Sequence, residues 1–289
     1  MNIGALAASI AANAAIIAAS DTPEARAAVP AADALTTHMA ALRARGRKAL
    51  VCYVTAGHPD RAQSVALLRG LADAGCDCIE LGVPFSDPLA DGPIIQASSQ
   101  RALELGMTFD GALDLVREAR PTVPVVLFSY LNPVLSAGPD AMQRAADAGV
   151  SGILITDIPV GADAAREAWL GASPLAFVRL VAPTTPAARM AEISRNGSGF
   201  VYLISRLGVT GVRDDIATEL PETIARLRSA TTLPICVGFG IGTGAQAAQV
   251  ATLADGVVVG SALVRAAEQG TERALALVRE LRAGLDGAA

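Results

Sequence analysis

Eight short β-branched runs alternate with longer amphipathic segments from about residue 49 onward, and the whole pattern fits within about 235 residues, which predicts α/β architecture in a single closed (β/α)8 barrel, a TIM barrel, rather than two packed domains. A doubly wound sheet is the competing arrangement. The strand runs are residues 50–55, 78–81, 125–129, 152–155, 175–180, 200–204, 234–237 and 257–259. Between them the spacing turns helical. In 61–74, Val65, Leu68 and Ala72 share one face, and Gly75 follows as a C-terminal cap would. Leu113 with Val116, and Ile224 with Leu227, repeat that logic further along. The barrel is expected over 34–289, with 1–33 as a low-complexity extension.

Residues 3–19 of that extension are apolar but alanine-dominated and interrupted by Ser9 and Asn13, which is weak for a membrane span. No Lys or Arg precedes the stretch, as a secretory signal would require, so a cytoplasmic chain is expected.

Composition narrows the chemistry. The chain is 52% hydrophobic and 18% charged, enough to bury a core, and its 23 Lys plus Arg against 28 Asp plus Glu leave a net charge of -5. Nucleic-acid binding rests on clustered cations that release counterions, and no such cluster occurs. Lys48 is the single lysine, which argues against a Schiff-base aldolase or a chain holding its own pyridoxal phosphate. His38 and His58 are the only imidazoles, too few and too far apart in sequence for a usual zinc site, so no metal is expected. Cys52, Cys76, Cys78 and Cys236 lie in or beside apolar runs without a C-x-x-C pair, and read as buried thiols. Carboxylates, hydroxyls and backbone amides are left to do the chemistry.

In a barrel of this kind the loops after the strands carry function. After the second strand comes ELGVPFSDPLADGP at 80–93, with three acids and three prolines. Glu80 stands at an otherwise apolar strand end, where burial would raise its pKa toward the range of a general acid–base. Asp91 follows on a proline-stiffened loop. Asp87 and Asp91 equally suit ordinary turn roles, and Glu80 a satisfied structural acid. Asp157, after the fourth strand, suits capping at least as well as chemistry. Tyr202 lies near the rim after the sixth strand, followed by SRLGVTG at 205–211, whose glycines suit either a lid or a plain surface connection.

GFGIG at 238–242 follows the seventh strand, and Gly260-Ser261 opens the last helices. Glycine turns at helix starts present unpaired N–H groups to an anion, as in barrel phosphate sites. Gly240, Gly242 and Ala245 also meet a G-x-G-x-x-A dinucleotide pattern, but at the seventh strand and without an acid about 20 residues on. A phosphorylated small molecule is the better inference.

With these residues in view, the chain resembles the tryptophan synthase alpha subunit family. The resemblance rests on ELGVPFSDPLADGP at 80–93, YLISRLGVTG at 202–211, GFGI at 238–241 and Gly260-Ser261, and runs from about residue 36 to the end. It implies a lyase that cleaves indole-3-glycerol phosphate to indole and glyceraldehyde 3-phosphate by a retro-aldol route. It further implies Glu80 as general acid–base and Asp91 at the indole N–H. Tyr202 would line the site, with Phe239 and Tyr53 as walls around the ring. Gly211, Gly240, Gly260 and Ser261 would bind phosphate, and the loop 206–211, including Thr210, would close over the ligand. No cofactor is implied in this chain, since pyridoxal phosphate belongs to a partner beta subunit in an alpha2beta2 heterotetramer, with docking loops around 84–91 and 132–133. A free-standing indole producer and a catalytically weak partner-activating subunit are the alternatives. One departure is His58, where the family often has an acid before proline.

Overall fold

A computed structural model describes residues 33–204, 220–238 and 240–287. Its strands β1 (Ala49–Thr55), β2 (Cys78–Gly82), β3 (Val125–Ser129), β4 (Gly152–Ile155), β5 (Ala176–Val181), β6 (Val201–Ile204), β7 (Ile235–Gly238) and β8 (Gly256–Val259) pair in parallel, in sequence order, and close on themselves. The expected closed barrel is therefore the fold, and the doubly wound sheet is not. Helices α1 (Ala34–Ala44), α2 (Arg61–Gly70), α3 (Pro93–Glu104), α4 (Phe109–Ala119), α5 (Leu131–Ser136) and α6 (Ala141–Asp147) precede β4 in the chain. After it come α7 (Ala164–Gly171), α8 (Ala187–Arg195), α9 (Leu220–Ala230), α10 (Gly244–Ala251), α11 (Ser261–Ala267) and α12 (Thr271–Asp286).

Alternation along each strand sends one residue set outward and the other into the barrel. On β2, Ile79 and Leu81 join the outer layer beneath the helices, whereas Cys78 joins the inner cluster with Val51, Val126, Phe200 and Val258. Leu35 and Met39 of α1 complete that inner cluster, so α1 seals the end of the barrel from which the strands start. Asp33 caps α1, its carboxylate accepting from Thr36 N–H at 2.6 Å. At the same end Asp77 accepts from Leu50 N–H at 2.9 Å and from Arg47 and Arg282 at 2.8 and 3.1 Å, tying α12 to the first two strands.

Expected and observed strand limits differ by one residue or not at all. The helix expected at 61–74 ends at Gly70 and passes through a turn to Gly75, whose φ of 105° and closeness to the Arg282 side chain suit glycine there. Lys48 donates to Ala254 O at 3.0 Å at the sealed end, remote from the opposite rim. All four cysteines are buried and free.

Candidate active site

The outward placement of Ile79 and Leu81 forces Glu80 into the barrel. Strand register sets it beside Tyr53 on β1 and Val126 on β3. Its side chain is essentially inaccessible, and Oε1 is buried without a hydrogen-bond partner. Burial alone pushes the carboxyl up to about 8, because ionisation in an apolar wall forfeits hydration that nothing replaces. Glu80 is thus held protonated at neutral pH. A fully satisfied structural acid would have given Oε1 a partner, and it has none among the described residues.

The same segment treats its aspartates differently. Asp87 lies on the exposed part of the loop and accepts from Ser86 Oγ at 2.5 Å, a turn role. Asp91 immediately precedes Gly92 and Pro93, the cap and first residue of α3. Gln96 Nε2 reaches back to Asp91 O at 2.9 Å and Pro88 O at 3.3 Å, fixing the loop onto its own helix. Asp91 Oδ2 accepts from Tyr130 Oη at 3.1 Å. Burial raises this carboxyl to about 6 while the Tyr130 hydrogen bond opposes the rise. The two acids are set apart in proton affinity, one neutral and one ionised at pH 7. The Asp91 side chain is partly buried, and among the described residues its carboxylate relies on a single phenol donor.

Aromatic rings surround these groups. Tyr53 meets Phe128 edge-on, with centroids 5.3 Å apart. Its ring lies over Gly82, where an added Cβ would come within 2.6 Å of Cζ, and the Tyr202 ring lies over Gly238 in the same way, at 2.8 Å from Cε1. The absent side chains make room for the rings. Tyr53 and Tyr202 both have their hydroxyl pKa raised by burial, with the charges of Glu80 and Asp91 adding to the shift, so the four side chains face one interior space. Beneath Tyr53, Thr55 Oγ1 and Ser98 Oγ share a buried hydrogen bond of 2.7 Å that ties β1 to α3.

The two glycine turns adjoin. A Cβ on Gly242 would lie 3.5 Å from the Ala262 Cβ, and one on Gly260 would lie 3.6 Å from the Tyr53 Cβ. Gly240 has φ of 67°, and Thr243 caps α10. Gly260 caps α11, so Ser261 presents a first-turn N–H that the helix does not use. The structure therefore brings together Glu80, Asp91, Tyr53 and Tyr202, with Gly260 and Ser261 beside Tyr53 and the Gly240 turn next to them. Thr210, Gly211 and Phe239, and the loop 206–211, lie outside the described residues.

Sequence reasoning missed Tyr130, Phe128, Thr55 and Ser98. Tyr130 directly follows β3, which is the one signal that could have drawn attention to it. Asp157 accepts from Leu131 N–H at 2.7 Å and so holds the start of α5. His58 is buried with neither ring nitrogen hydrogen-bonded, and its Nε2 lies 3.6 Å from Glu268. Among the described residues no group of three or more His, Cys, Asp or Glu could hold a metal ion, and no helix is long and apolar enough to cross a membrane.

A closed eight-stranded parallel barrel with helices between its strands, holding a buried neutral carboxyl and a second carboxylate, places the protein in the (β/α)8 class. Residues 39–286 match the family model described as tryptophan synthase alpha chain. The chain is 49% identical over 236 residues to the tryptophan synthase alpha chain of Caulobacter sp. strain K31, covering 80% of this chain and 86% of that one. With the corresponding chain of Methanosarcina mazei it shares 48% over 249 residues, covering 84% and 91%. Among solved structures, Mycobacterium tuberculosis tryptophan synthase superposes with a TM-score of 0.82 at 39% identity, covering 88% of this chain and 99% of that one. The alpha subunit from Legionella pneumophila gives 0.79 at 35%, covering 89% and 100%. The chain belongs to the tryptophan synthase alpha chain family. It is accordingly a lyase of tryptophan biosynthesis, and its reaction splits indole-3-glycerol phosphate into indole and glyceraldehyde 3-phosphate.

Proposed function

We propose that Glu80 and Asp91 divide the proton chemistry of this cleavage between them. Breaking the bond from ring to glycerol requires a proton on the ring carbon at the junction, which turns indole into a leaving group. Neutral Glu80 supplies that proton. The resulting carboxylate takes the proton of the hydroxyl on the departing carbon, which becomes the aldehyde, so the acid is regenerated and protons balance. Ionised Asp91 stabilises positive charge at the ring nitrogen meanwhile. Tyr53, Tyr202 and Phe239 wall the ring, and Gly211, Gly240, Gly260 and Ser261 hold the phosphate through backbone N–H groups and the Ser261 hydroxyl. Thr210 belongs to the loop that closes over the ligand.

The observation that carries this reading is the Glu80 carboxyl, buried without a partner for Oε1 in a space that Asp91 also faces. Activity needs Glu80 protonated and Asp91 ionised. The profile of kcat/KM against pH is therefore expected to be bell-shaped, falling below about 6 as Asp91 takes a proton and above about 8 as Glu80 loses one. A flat profile across that range contradicts the division of roles. Ser261→Ala is expected to raise KM more than it lowers kcat, because the phosphate is held alike in the ground and transition states; unchanged KM with slower chemistry contradicts a holding role.

The lyase unit is taken as residues 34–289, with 1–33 an extension outside it. Indole is apolar and would diffuse away, so its use calls for direct delivery. The partner is a pyridoxal-phosphate-dependent beta subunit in an alpha2beta2 heterotetramer, docking on loops around 84–91 and 132–133. This chain needs no cofactor of its own, and the site is that of a cytoplasmic biosynthetic enzyme. The deciding experiment is indole release from indole-3-glycerol phosphate by the purified chain, with and without a beta subunit. Slow release that rises with the partner supports the complex-forming lyase. Rapid release by the chain alone favours a free-standing indole producer, and no release in either case refutes catalysis.

A further inference from the structure

Among the described residues the Asp91 carboxylate has one identified donor, and that donor belongs to a residue with no assigned role. Tyr130 stands at the end of β3, its ring 5.0 Å from that of Phe85 in the loop between β2 and α3. Its hydroxyl meets that loop twice. Ala90 N–H donates to Tyr130 Oη at 2.9 Å, and Tyr130 Oη lies 3.1 Å from Asp91 Oδ2. A backbone N–H can only donate, so it occupies a lone pair of the phenol oxygen and leaves the phenol proton free. An ionised carboxylate can only accept, so that proton points at Asp91. The charge on Asp91 thus sets the direction of the contact, and the Thr156 hydroxyl is a further hydrogen-bond partner of the Tyr130 phenol.

We propose that Tyr130 is the positioning residue for Asp91: it clamps the Leu89–Ala90 peptide to the end of β3 and donates to Oδ2, so that the carboxylate is held ionised with Oδ1 left for the ring nitrogen of the substrate. The proposal rests on the role given to Asp91 above. The titratable groups that face Asp91 among the described residues are Tyr53 on β1, Tyr130 after β3 and Tyr202 on β6, with Glu80 on β2 sharing the same space. None of these is a cation, so the charged form of Asp91 depends on hydrogen bonding, and Tyr130 is the donor whose bond lowers its proton affinity against the effect of burial. Loss of the donor raises that affinity, and because the ionised form is the active one, the acid limb must move to higher pH.

Tyr130→Phe keeps the ring against Phe85 and removes only the hydroxyl. The expected result is an acid limb of kcat/KM displaced upward by about one pH unit with the basic limb unmoved, and a loss of roughly tenfold below the displaced limb. Replacement of Tyr130 by 3-fluorotyrosine, a more acidic phenol of nearly the same shape, is expected to displace the limb downward and keeps the idea testable if the phenylalanine variant folds poorly. In an Asp91→Asn background the same Tyr130→Phe change should cost little further, since its target charge is gone. A uniform loss at every pH with the acid limb in place, or an equal cost in both backgrounds, overturns the positioning role while leaving Asp91 in the mechanism. Near-normal turnover and an unmoved acid limb in Asp91→Asn alone would instead remove Asp91, and the proposal with it.

Discussion

Glu80→Gln is expected to abolish most turnover, by about 10²–10⁴-fold in kcat, while the protein folds and still binds phosphate-bearing ligands. Glutamine has the same length and shape, so the β2 register and the packing beside Tyr53 survive. What is lost is the titrating proton. The amide cannot deliver a proton to the ring carbon or recover one from the hydroxyl. A single-turnover measurement with bound substrate separates this from weaker binding. Near-normal single-turnover rates in Glu80→Gln would remove Glu80 from the mechanism.

The same substitution has a stability consequence with a definite sign. The Glu80 carboxyl is raised to about 8 in the folded protein from an ordinary value of 4.5, so the folded state holds this proton more tightly than the unfolded one. Its contribution is fully present below the unfolded pKa and is lost as pH rises through the folded one. Wild-type stability should therefore decline between about pH 4.5 and 8 through this group, and the glutamine variant should lack that component.

Gly284→Ala is expected to cost about 2–3 kcal/mol of stability, at the upper end of what overpacking does. Gly284 lies on α12 where it crosses Gly244, the first residue of α10. An added Cβ would come within 2.6 Å of the Gly244 carbonyl carbon and 2.7 Å of its Cα, both backbone atoms that no rotamer change can move. The reverse contact is as tight, since a Cβ on Gly244 would lie 2.7 Å from Glu280 O. The helices must separate, and α10 begins directly after the Gly240–Thr243 turn, so KM for the phosphate substrate should rise as well. Gly287→Ala is the matched control, because the nearest atom to its Cβ is 3.5 Å away and its φ of -79° is ordinary. Equal denaturation midpoints for the two variants would contradict the close approach.

Much of the barrel was legible in the chain because a strand buried on both faces must be continuously apolar, and eight such runs stand out between helical spacings. Glu80 was legible for the same reason: a lone acid in an apolar run is conspicuous whatever its partners. Asp91 and Asp87 were told apart by the family resemblance alone, since both sit among turn residues; their fates depend on which one meets Tyr130. Tyr130 carried only the signal of its place directly after β3, because its importance comes from a hydroxyl meeting a loop some 40 residues earlier in the chain. Gly82 and Gly284 were silent, their roles being the space they leave for Tyr53 and for a neighbouring helix.

The sequence by itself determined the strand count, the placement of one acid in an apolar strand and the two glycine turns at helix starts, since each of these follows from local periodicity and backbone freedom. Only the tertiary structure decided the proton affinities of Glu80 and Asp91, the donor that opposes Asp91's burial, and the adjacency of the Gly240 and Gly260 turns. Those properties depend on desolvation and on contacts between segments far apart in the chain, which come into being only when the barrel closes.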